Sequence, residues 1–203
     1  MEAKASRSSG ALVRRRTGLR ERLAAFVPRV ESNGNGHAAK GNGEVDGSDA
    51  TVRLERYLRG SKAHVLHHCR VPGRRRGQIS HLVVGPAGVT VVDSRHYNGK
   101  KAKLEDGELR VGKRNRTDLI KGVLDQAARV SELLEDTPYA DVDVEAALAW
   151  KKVEGIPIIQ YVGGPRLVVC GTRRIAGEAS RPGPLEPRKV DALASFLAGE
   201  LSS

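Results

Sequence analysis

The sequence predicts an α/β fold, a mixed α+β sheet flanked by helices, and three observations carry that reading. Runs rich in β-branched residues between Ala63 and Arg95 alternate around the Gly-Pro-Ala-Gly turn at 85–88. Asp118 to Leu134 repeats apolar residues at helical intervals. Strand-like and then helix-like segments return after Asp141.

The elements follow in order. Ala11 to Val30 places Leu12, Leu19, Leu23 and Phe26 at near-helical spacing, with Arg14, Arg15, Arg16, Arg20 and Arg22 on the polar side. Gly18 and Pro28 oppose a long helix, so this is a basic arm open to two readings: contact with nucleic acid or an anionic lipid surface, or a solvated tail. Residues 32–49 are mostly Gly, Asn, Ser and charge, a composition that buries too little apolar surface to order itself. The predicted division is therefore a disordered, Gly-rich arm and linker at 1–50 and one domain at 51–203.

Thr51 to Gly60 predicts a first helix with Val52, Leu54, Tyr57 and Leu58 on one side. Ala63 to Val71 reads as a strand, Gln78–Val84 and Val89–Arg95 as a hairpin, and 101–111 as a smaller hairpin around Asp106-Gly107. The long helix at 118–134 has Asn115 or Thr117 to cap it. Residues 142–150, 156–162 and 166–171 read as strands, and 184–201 as a closing helix with Pro187 in its first turn.

A chain of 203 residues with a formal net charge of +11 favours a polyanionic partner, nucleic acid or an anionic lipid surface. Aromatics make up only 3% of the chain, so base stacking would not dominate such binding. Cys69 and Cys170 lack the short spacing of zinc sites and read as reduced thiols. No run approaches the roughly 18 apolar residues of a membrane helix, and Leu23–Val27 is too short for a signal-peptide core, which predicts a cytoplasmic protein.

With Pro86 and Ala87 at the hairpin tip, Ser80 faces Asp93 and Gln78 faces Arg95, on the same side as Leu82, Val84, Val89 and Val91. Arg74, Arg75 and Arg76 form a basic loop just before this strand, and Lys100, Lys113, Arg114 and Arg116 extend the positive field. These seven are the candidate phosphate contacts, with a solubilising role as the alternative. His64, His67, His68, His81 and His96 lack a fixed metal-ligand spacing, and His81 is expected to pack on the face opposite Ser80.

The block GQISHLVVGPAGVTVVDSRHYNGK resembles the core of nuclease-related (NERD) domains, members of the PD-(D/E)XK superfamily with a restriction-endonuclease-like core. The resemblance runs from Leu54-Glu55 through ELRVGKRNRTDL and Gln126, and more loosely to the strands after Asp143. It implies a site in which an isoleucine-aspartate-histidine step supplies one metal-binding carboxylate, and a carboxylate-x-lysine step supplies a second ligand and the catalytic lysine. Ile79 and His81 match the first step, but its carboxylate position is Ser80; Asp93 keeps the second carboxylate and the lysine position is Arg95. Glu55 and Gln126 resemble the family's first-helix glutamate and long-helix glutamine. The implied site is thus Asp93, Arg95, Ser80, Glu55 and Gln126, with Asp93 and Glu55 as metal ligands.

Serine removes a charge that a hard Mg²⁺ ion relies on, so metal affinity is expected to be low. Arginine keeps the cation but is too weak an acid to act as a base. These changes favour a nucleic-acid-binding protein with a degenerate nuclease-like site over an active Mg²⁺-dependent nuclease. A third reading is a non-catalytic interaction or membrane-peripheral protein.

Overall fold

The computed structural model describes residues 47–95, 102–105, 108–150 and 166–202. The expected arm, the Asp106-Gly107 turn, His96, Lys100 and the strand expected at 156–162 lie outside the described residues.

Helix α1 (Gly47–Leu58) leads into β1 (His64–Arg70), β2 (Gln78–Gly85) and β3 (Gly88–Arg95). The small strands β4 (Ala102–Glu105), β5 (Glu108–Val111) and β6 (Arg114–Asn115) precede α2 (Thr117–Leu134). Strands β7 (Val144–Trp150) and β8 (Leu167–Cys170) are followed by α3 (Thr172–Ala179) and α4 (Pro187–Glu200).

The main sheet has five strands in the order β1-β2-β3-β7-β8. Its β1–β2 and β2–β3 pairs are antiparallel, whereas β7 lies parallel to both β3 and β8. The crossover carrying α2 makes the parallel β3–β7 pair feasible, since such a connection needs a dozen or more residues. The second hairpin does not join this sheet; it forms a three-stranded sheet of its own with β6.

Alternation along the strands feeds two apolar layers. On one face Leu82, Val84, Val89, Val91, Leu148 and Val169 pack with α2, α4 and the small sheet. On the other, Val83, Val92, Ala147, Ala149 and Val168 pack under Leu54 and Leu58 of α1 and Ile175 and Ala179 of α3.

The helix starts and stripes correct the expectations in three places. Helix α1 begins at Gly47, inside the stretch expected to be linker, so Ala50, Leu54 and Leu58 form its buried stripe. Val52 and Tyr57, expected on that stripe, are 61% and 38% exposed. Helix α3 was not expected: eight residues containing Arg173, Arg174 and Gly177 carry a weak local signal, and burial of Ile175, Ala176 and Ala179 against the sheet defines them as a helix. At the start of α2, Asn115 accepts the Thr117 amide at 2.9 Å, while the Thr117 hydroxyl accepts the Leu109 amide at 3.1 Å and ties the small sheet to the helix.

Gly88 shows how closely the hairpin turn meets β7. The Val89 amide donates to the Asp143 carbonyl at 2.9 Å, and a Cβ on Gly88 would lie 2.3 Å from that same oxygen, at a φ of +129°. Gly88→Ala is therefore expected to lower unfolding stability by at least about 2 kcal/mol, from clash and backbone strain together. A denaturant midpoint within error of the parent's would show that the turn gives way at little cost.

Candidate functional site

The hairpin has the expected register: the ladder runs from Gly85↔Gly88 through Val84↔Val89 to His81↔Val92. There the β2–β3 ladder stops, while β3 continues against β7 through Asp93↔Leu148 to Arg95↔Trp150. The β1–β2 ladder also skips a rung, passing from His67↔His81 to Cys69↔Ile79, and His68 has a φ of 54°. A left-handed non-glycine residue costs on the order of 1 kcal/mol and marks a local kink. Consistent with that kink, Ile79 joins the same apolar cluster as Leu82, where strict alternation would place it on the other face.

Ser80 sits at this irregular point. Its hydroxyl donates to Asp93 Oδ1 at 3.2 Å, so the two positions meet across the mouth where β2 and β3 part. Asp93 is 6% exposed, a carboxylate sunk beside the sheet end. Gln126 reaches the same strand from α2: its Nε2 donates to the Gln78 carbonyl at 3.3 Å, and its Oε1 is buried without a partner. Gln78 turns its own amide to the His68 carbonyl at 3.1 Å, so the expected Gln78–Arg95 pairing has no rung in the ladder. Arg95 closes β3, and its side chain lies outside the described residues.

The expected Glu55 carboxylate meets a different group. Its Oε1 lies 3.2 Å from His67 Nε2, and His67 Nδ1 lies 2.9 Å from His81 Nδ1. His81 Nε2 is in turn 2.7 Å from the Ser94 hydroxyl. His81 is fully buried on the face opposite Asp93, as expected, and Ser94 is 3% exposed beside it. Burial, reinforced by the nearby His67 and His68, pushes His81 from its usual range down to about 3. The one-letter sequence held no signal for this chain beyond the clustered histidines, because it depends on the β1–β2 register and on α1 crossing β1.

Residues 43–156 match the family described as the nuclease-related domain, NERD. The chain belongs to the nuclease-related domain family. Its general context is the PD-(D/E)XK superfamily, and the mixed sheet flanked by helices agrees with the expected α/β class. No curated protein and no solved structure matches the chain.

Nuclease-related domains usually use metal ions. Mg²⁺ is held through one or two carboxylates plus water and substrate oxygens. Here Asp93 has a neutral hydroxyl beside it, Glu55 is engaged by His67, and among the described residues no group of three or more His, Cys, Asp or Glu is placed to hold a metal.

The basic residues divide by their partners. Arg74 pairs with Asp125 at 2.9 Å, which also holds Arg129 at 3.1 Å, and Arg116 pairs with Asp118 at 3.1 Å. Arg75, Arg76, Lys113 and Arg114 are exposed. Both thiols are free and buried; burial raises Cys69 and takes Cys170 up to about 11, so neither is a thiolate near neutral pH. No described helix is long and apolar enough to cross a membrane.

Proposed function

We propose that this nuclease-related domain protein binds the phosphate backbone of nucleic acid at a degenerate nuclease-like site and does not cleave it efficiently. The observation that supports this best is the Ser80–Asp93 contact, in which a neutral hydroxyl lies against the retained carboxylate where the family resemblance implies a second carboxylate. A single carboxylate weakens metal binding, and with it the water activation that metal-dependent hydrolysis needs. Arg95 would supply a fixed cation at the strand end, suited to stabilising phosphate charge and unsuited to base catalysis. Gln126 would position β2 through Gln78, and the cytoplasm is the expected compartment.

The deciding experiment is cleavage of plasmid and single-stranded DNA with Mg²⁺ and Mn²⁺, beside Asp93→Ala. No metal-dependent cleavage above the Asp93→Ala background is the expected result. Cleavage that disappears in Asp93→Ala would establish the active-nuclease reading instead.

Binding is expected to be electrostatic and largely indifferent to sequence, with affinity falling steeply as salt rises. Replacing Arg74, Arg75 and Arg76 by Ala should flatten the log affinity against log salt plot by about 0.9 per lost duplex contact. Most of the change should come from Arg75 and Arg76, because Arg74 already shares Asp125 with Arg129. An unchanged slope in the triple variant would remove this loop from the interface. Failure of the wild type to bind any duplex or single strand at low salt would instead favour the interaction-protein reading.

A further inference from the structure

Where the β2–β3 ladder ends at His81↔Val92, two side-chain hydrogen bonds continue it, one on each face. On one face Ser80 bonds to Asp93, and on the other His81 bonds to Ser94. The second bond belongs to an unbranched chain, Ser94–His81–His67–Glu55, with contacts of 2.7, 2.9 and 3.2 Å.

Each contact needs one hydrogen and one lone pair, and those requirements leave little freedom. An ionised carboxylate only accepts, so the His67 Nε2 must carry hydrogen. A neutral His67 then has a bare Nδ1 and can only accept there. When both rings are neutral, the His81 Nδ1 carries that ring's single hydrogen, its Nε2 accepts, and the Ser94 hydroxyl donates. The neutral state that burial imposes on His81 agrees with this assignment. In that state every donor in the chain points toward Glu55.

We propose that Glu55 is a positioning residue: through His67 and His81 it sets the direction of the Ser94 hydrogen bond and so holds β3 beside β2 at Asp93. The proposal rests on Asp93 being the functional carboxylate, but the geometry it predicts can be tested without activity. Glu55 lies on α1 and Ser94 on β3, so the chain ties the helix layer to the strand that carries the site. It also assigns Glu55 a role other than the metal ligation that the family resemblance implies.

The test is long-range ¹⁵N–¹H NMR of the full-length chain, at one pH near 8, with the side-chain carboxyl ¹³C shift of Asp93 recorded alongside. In the wild type, His81 is expected to carry hydrogen on Nδ1, the less common tautomer of a neutral histidine. Glu55→Gln should keep that tautomer, because its amide oxygen still accepts from His67. Glu55→Leu should lose it and move the Asp93 carboxyl shift, with the fold checked by circular dichroism and by dispersion of the remaining amides. Hydrogen on His81 Nε2 in the wild type would overturn the assigned direction. A changed tautomer in Glu55→Leu with an unmoved Asp93 resonance would overturn the positioning role while leaving the chain intact. Whether Asp93 is functional is decided separately, by nucleic-acid binding and cleavage of Asp93→Ala.

Discussion

Ser80→Asp combined with Arg95→Lys is expected to create Mg²⁺-dependent nuclease activity, at least about tenfold above wild type. The Ser80 hydroxyl lies 3.2 Å from Asp93 Oδ1, so an aspartate there would set a second carboxylate against a buried first one. Without metal, like charges at that range repel and favour protonation of one of them. Ser80→Asp alone should therefore melt at a lower temperature than wild type in chelator and recover with millimolar Mg²⁺, because a ligand that binds only the folded state stabilises it. Arg95→Lys alone should change little, since a titratable cation has nothing to assist without an activated water. The double variant should exceed the sum of the single ones, as expected of residues acting as a unit. If the folded double variant neither gains thermal stability with Mg²⁺ nor cleaves, the site has lost more than these two groups. A purely binding or structural role would then describe it better.

Acid should destabilise the protein through His81. Its folded-state value lies near 3, against 6.5 for an ordinary histidine, so as pH falls the unfolded chain takes up the proton first. The stability due to neutral His81 is thus complete above about pH 6.5 and is lost progressively from there toward about pH 3. Between about pH 7.5 and 4.5 this one group should remove on the order of 2 to 3 kcal/mol. Carboxylates also titrate in that range, so the informative quantity is the difference from His81→Gln, measured by denaturant unfolding at both pH values. The variant should be less stable at neutral pH and show a flatter dependence on pH. Parallel profiles for the two proteins would mean that His81 does not stay neutral in the fold, or that the unfolded state shares its environment.

The hairpin was legible because its evidence is local. The Gly-Pro-Ala-Gly turn and alternating valines determine the Gly85↔Gly88 to His81↔Val92 register, and that register brings Ser80 to Asp93. The long helix was legible for a similar reason: Leu119, Val123, Ala127, Val130 and Leu134 repeat at helical spacing and are all buried. Helix α3 was not, because its eight residues have too few turns to show a period and owe their conformation to packing on β7 and β8. The side of α1 that is buried was misread for a related reason: the helix starts at Gly47, and only the sheet beneath decides that Ala50, and not Val52 or Tyr57, completes the stripe.

The sequence by itself determined the α/β class and the family, since each follows from residue identities in local repeats and motifs. Tertiary structure alone decided that the second hairpin forms a separate sheet and that β7 lies parallel to β3. It also decided that the Glu55 carboxylate meets His67, and that the ladder stops one residue short of Asp93. These outcomes depend on which distant segments compete for the same strand edges and buried volume, and residues far apart in sequence settle that competition only when the whole core packs.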